Sequence, residues 1–200
     1  MQNCKNNSKG MQSIILSVRN DSACNRLGDA VTTGVPIPYD WALYDMDDLR
    51  LYDSGGKQIE SQLSPLAWWE DRRRLKWILV HFQADIQAKS TNTYQLIYEE
   101  ARKEEEHYRI VQNLATATRE ELVINTGKWR CRLRKGGAPL DNLAAFCHGT
   151  WQELNQNKPQ MNLVSKGNRY IPGGIEELKL EDNGPLRSVV TVRGQYVAES

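Results

Sequence analysis

Asp47-Asp-Leu-Arg-Leu-Tyr-Asp-Ser-Gly-Gly-Lys-Gln-Ile-Glu-Ser-Gln-Leu63 reads as a β-hairpin. Leu49 and Leu51 alternate with polar neighbours, so they fall on one face of an extended segment. Asp53-Ser-Gly-Gly56 then supplies residues that tolerate positive φ and closes a tight turn. Lys57 to Leu63 begins the return. The same grammar recurs on both sides. Ser13-Ile-Ile-Leu-Ser-Val18 reads as a strand, and Arg19-Asn-Asp-Ser22 as the turn after it. Ala30-Val-Thr-Thr33 reads as another strand, ended by Gly34. Val35-Pro-Ile-Pro38 is excluded from a helix interior by its prolines and reads as an extended rim.

Leu75-Lys-Trp-Ile-Leu-Val-His-Phe82 is denser in apolar residues, which predicts a strand covered on both faces. Thr91-Asn-Thr-Tyr-Gln-Leu-Ile-Tyr98 alternates again. Lys128-Trp-Arg-Cys-Arg-Leu-Arg-Lys135 has a clean period of two, with Trp129, Cys131 and Leu133 on one side and Arg130, Arg132 and Arg134 on the other. The chain closes with Ile175–Leu180, the turn Asp182-Asn-Gly-Pro185, and Leu186–Arg193, another hairpin pattern. Residues 136–172 are rich in Gly, Asn, Gln and Pro and read as a long excursion anchored by Phe146 and Trp151.

Eight to ten short antiparallel strands are expected, with at most one or two short helices. That inventory makes the fold mainly β, a barrel-like or sandwich architecture. Residues 1–12 are polar and read as a disordered tail. Residues 13–200 are expected to form a single β-rich domain with a charged helix or linker near 99–118, where Glu99/Lys103 and Glu105/Arg109 sit in favourable i,i+4 order. The rival division is two halves, 11–98 and 119–200, each small on its own.

The net charge of +1 gives no bulk attraction to nucleic acid or an anionic membrane, and neither partner is expected. No apolar run approaches the ~20 residues of a membrane helix. Residues 1–10 lack the apolar core of a secretory signal. The chain as it stands reads as cytoplasmic, or as secreted if a leader has been lost. Cys4, Cys24, Cys131 and Cys147 have no C-x-x-C spacing, and His81, His107 and His148 are scattered. No metal, cofactor or catalytic residue is assigned.

Several segments, in order, resemble the N-terminal RIFT-barrel-like β-domain of exo-rhamnogalacturonan-lyase-like proteins. They are Gly34-Val-Pro-Ile-Pro38, Asp48–Lys57, Trp68-Trp-Glu-Asp71 with Leu75–Val80, Ser90–Tyr94, Asn125–Lys128 and Asn183–Arg187. The likeness spans roughly residues 13–197. It implies a non-catalytic accessory β-domain of a polysaccharide-active protein, packed against a catalytic domain absent from this chain. Self-association through an exposed apolar patch is the other partner it suggests. The pattern's turn glycines are missing in three places: Tyr39-Asp-Trp41 stands after the proline element, Glu70–Arg74 after the tryptophans, and Lys89 at a turn.

The alternative is an independent carbohydrate-binding module. Flat rings stack on the apolar faces of sugars, and neighbouring cations bind hydroxyls or a uronate carboxylate. Tyr39, Trp41, Trp68, Trp69, Arg72 and Arg73 are the candidate ligand-binding residues, with acidic polysaccharide the candidate ligand. Core packing is the competing reading for the rings, and a solvated turn for the arginines. Trp77, inside a strand, is expected in the core. The Arg130/Arg132/Arg134 stripe is expected to be the wet face of a sheet, with Glu176 and Glu181 as candidate partners.

Overall fold

The computed structural model of the chain describes residues 12–99, 113–139, 142–154 and 161–199. The expected tail, apart from Gln12, lies outside these residues, as do Cys4, His107 and most of the expected charged helix or linker. The structure is mainly β, with antiparallel sheets and two short 3-10 helices among the described residues. The chain divides into two compact units, Met1–Arg109 and Ile110–Ser200, each with its own core.

The first unit holds β1 (Gln12–Asn20), β2 (Arg26–Pro36), β3 (Leu49–Asp53), β4 (Gln58–Ile59), β5 (Ser61–Trp68), β6 (Leu75–Ile86) and β7 (Ser90–Tyr98). One sheet runs β1-β7-β3-β4 and the other β2-β6-β5. Period-two patterning decides what faces inward. Ile14, Leu16 and Val18 of β1 pack on the core while Ser13, Ile15 and Ser17 face out. From the other sheet, Ile78, Val80 and Phe82 of β6 are fully buried. Phe82 meets Tyr94 edge to face at 4.8 Å. Leu51 and Leu96 pair across β3 and β7 in the same core.

The hairpin at 47–63 forms as its sequence dictates. The Asp53 carboxylate accepts from Gly55 N and Lys57 N, each at 2.9 Å, and Gly56 takes φ 78°. Only Glu60 separates β4 from β5, so the return strand passes from one sheet directly to the other. That continuity makes the unit barrel-like.

The second unit holds β8 (Ala115–Ala117), β9 (Glu121–Asn125), β10 (Trp129–Arg134), β11 (Asn142–Cys147), β12 (Thr150–Glu153), β13 (Leu163–Ser165), β14 (Asn168–Asn183) and β15 (Ser188–Ala198). β8 to β12 form a five-stranded meander, and β13-β14-β15 a second sheet. Leu122, Cys131 and Leu133 from the meander and Ile175 from β14 make the core, with Leu178, Leu180 and Val190 packed against it. Asn183 ties the sheets together: its side chain accepts from Ala115 N and donates to Ala115 O.

Several local readings are corrected. β2 runs through Gly34 to Pro36, and Val35 and Ile37 are core residues, not rim. Trp77 faces outward, 39% exposed, because its position on β6 is out of phase with Ile78 and Val80. The excursion at 136–172 contains β11, β12, β13 and the start of β14. Glu121 and Glu153, from the neighbours of β10 and β11 in the meander, pair with the arginine stripe.

Candidate functional site

All the sequence candidates but Trp41 meet at the turn between β5 and β6. The Pro38 carbonyl accepts from Trp41 N, closing the 3-10 helix Tyr39–Trp41. Two backbone bonds hold this segment beside the start of β6: Ile37 N donates to Lys76 O at 2.9 Å, and Leu75 N to Leu43 O at 2.8 Å. Tyr39 is thereby carried to the β5–β6 turn. Its ring meets that of Trp69 edge to face, centroids 5.3 Å apart. The Arg74 guanidinium lies 3.5 Å from the Tyr39 ring centre and donates to the phenol oxygen. Lys76 Nζ stands 4.9 Å from the Trp69 ring. These are cation–π contacts on rings that are themselves in contact.

The turn is internally braced. Trp69 N donates to Arg74 O, and Arg72 N to Trp69 O. Arg72 adopts φ 53°, a left-handed conformation in a turn where this chain has no glycine. The Asp71 carboxylate accepts from the backbone of Arg73 and Arg74 and from Arg74 Nε at 2.5 Å. These two amides, then the guanidinium, hold the Asp71 carboxyl well below its usual range, at about 2. The same pairing, with the Tyr39 bond, raises Arg74.

Trp68, Trp69, Glu70, Arg72 and Lys76 line a shallow, open groove of about 630 Å³. The adjacent tryptophans divide the work. Trp68 is 48% exposed and offers a ring to solvent. Trp69 is half-buried, and its indole N–H is enclosed with no acceptor among the described residues. Arg73 is exposed and enters the turn through its backbone N–H.

Trp41 does not join this surface. It is 5% exposed and stacks on Tyr98 at 6.1 Å with planes 19° apart, so its ring belongs to the core. Lys76 is the contributor that sequence reasoning missed. Arg74 was legible only as part of a basic run, because its aromatic partner lies 35 residues away.

A second recess, about 390 Å³, lies at the far end of β6 and includes Asn25, Asp85, Gln87 and Asn92 in its wall. Asp85 there is committed to Gly28 N at 2.6 Å, and its carbonyl to Asn92. In the second unit, Arg130 lies 4.8 Å from the Trp151 ring, which meets Phe146 edge to face. Glu121 answers both Arg132 and Arg134, and Glu153 answers Arg130. That stripe is a self-neutralised outer face. Cys24, Cys131 and Cys147 are free thiols. Among the described residues no cluster of three His, Cys, Asp or Glu side chains could hold a metal ion, and no helix is long and apolar enough to cross a membrane. No family model matches this chain, and no curated protein matches it.

Proposed function

We propose that this chain is a non-catalytic, carbohydrate-directed β-module whose ligand surface is the shelf at the β5–β6 turn. The supporting observation is one exposed indole, Trp68, beside a braced Tyr39–Trp69–Arg74 stack, with Arg72 and Lys76 on the groove. An aromatic face with a cationic border suits a sugar ring bearing a carboxylate: the ring's C–H face stacks on the indole, and the cations take the carboxylate. Side chains fixed by their neighbours lose little freedom when a ligand arrives.

Titration calorimetry with uronate-bearing and neutral oligosaccharides tests this. Binding by the wild type is expected to favour the uronate, and Trp68→Ala to weaken it at least about tenfold, or ~1.4 kcal/mol. Unchanged affinity in Trp68→Ala removes the site. Release of an unsaturated sugar by the purified chain removes the non-catalytic reading.

The second reading is an accessory domain of a lyase-like, polysaccharide-active protein, packed against a catalytic domain. Its support is the exposed apolar side chains of the β13–β15 sheet, Leu163 and Tyr196 on one face and Val164 and Val197 on the other.

A further inference from the structure

β15 is the outermost strand of its sheet. β14 pairs with one side of it, and no strand among the described residues pairs with the other. The seven residues Val192 to Ala198 are all exposed, so backbone donors and acceptors along that edge face solvent. Proteins usually blunt such an edge with a proline, a charge or a short strand. β15 has eleven residues and no proline, and the register shifts of this hairpin, two of them at Gly194, put their extra residues on β14, so β15 itself carries no bulge. Its one charge, Arg193, is held by Glu177 of β14 at 3.0 Å. The opposite edge strand, β13, is only three residues long.

The edge is also nearly symmetric about Gly194. Arg193 and Gln195 flank it, then Val192 and Tyr196, then Thr191 and Val197, then Val190 and Ala198. Residues equidistant from Gly194 lie on the same face, because side-chain direction alternates. A Cβ on Gly194 would sit 2.3 Å from Gly174 O, so β14 itself demands glycine at the centre of this symmetry.

We propose that β15 pairs antiparallel with β15 of a second copy of this chain, about a twofold axis at Gly194. The pairing sets Val192 opposite the partner's Tyr196, and Tyr196 opposite the partner's Val192. Thr191 meets the partner's Val197, and polar Arg193 meets the partner's Gln195. The Val192–Tyr196 pairs are apolar and the Arg193–Gln195 pairs polar, with Thr191 opposite Val197 the one mixed pair, and backbone groups are satisfied along both edges. The contact is isologous, so it closes at two copies. It is independent of the sugar-binding reading.

Sedimentation equilibrium of the full chain tests it. The wild type is expected to dimerise reversibly. Val192→Lys with Tyr196→Lys places like charges opposite each other across the axis, and is expected to weaken the dimer at least about tenfold. Val192→Lys with Tyr196→Glu places opposite charges there and is expected to restore it. Within one chain those two positions are about 13 Å apart along the strand, so the rescue reads the intermolecular pairing. Hydrogen exchange of the wild type gives a second readout: amides on the free edge of Val192–Ala198 slow as concentration rises. A monomer at every concentration, an unaffected dimer in the double-lysine variant, no rescue by a folded Lys/Glu variant, or growth into larger assemblies overturns the proposal.

Discussion

Arg72 and Lys89 carry left-handed backbone, at φ 53° and 56°, where L side chains crowd the following carbonyl. Both sit in turns that carry a long side chain at that position and no glycine. Arg72→Gly and Lys89→Gly are each expected to raise stability by up to about 1 kcal/mol in urea denaturation. Arg72→Gly should also weaken uronate binding, separating fold from function at one site. Asn20 is the opposite kind of residue, buried and fully used. Its amide donates toward the carbonyls of Cys24, Ile86 and Gln87 and accepts from Ser22 N and Oγ. Asn20→Ala strands those carbonyls in a partly buried corner, and should cost about 2 kcal/mol by the same measurement. At Asp71 the folded-state value of about 2 lies below the ordinary unfolded value of ~3.9. The carboxylate's contribution is therefore complete above that unfolded value and is lost as pH falls through about 2. An NMR titration should place its midpoint there, and Arg74→Met should move the midpoint upward.

At the scale of elements, what was legible depended on periodicity and turn chemistry. The hairpin at 47–63 announced itself because alternation, Asp-Ser-Gly-Gly and return strand all agreed. The Trp129/Cys131/Leu133 face of β10 was legible for the same reason. β11 to β13 were not, because short segments such as Thr150–Glu153 and Leu163–Ser165 carry too few residues for a period and sit among Gly and Asn. Trp77 was misplaced because phase, not apolarity, selects the inner face, and Val35 because its prolines read as a rim whereas β2 runs on through Pro36 into the core. The site was partly legible: Tyr39, the neighbouring indoles and the basic run were named from sequence, whereas Trp41 turns into the core and the contact of Tyr39 with Arg74 is made only by the fold. In the β14–β15 hairpin, the tight approach at Gly194 gives a sharper forecast. Gly194→Ala forces its Cβ against Gly174 O and should cost about 2–3 kcal/mol, with lost amide protection concentrated in β14 and β15.

Across the whole molecule, two cores divide the chain. Leu122 anchors one and Leu51 the other. Leu122→Ala should cost about 2–5 kcal/mol in the second unit, while hydrogen exchange at Phe82 and Leu96 stays near wild type. Uniform loss of protection in both units would contradict independent cores. The strand orders also differ in kind. In the second unit's meander every hydrogen-bonded neighbour is the next strand in the chain, so each turn closes a short loop. In the first, Gln12 must wait for Tyr98, and Arg26 for Ile86. Long closures are slow. During vectorial synthesis the first two strands therefore leave the ribosome with their partners still unmade, and spend that interval as the nascent chain's exposed, chaperone-accessible segment.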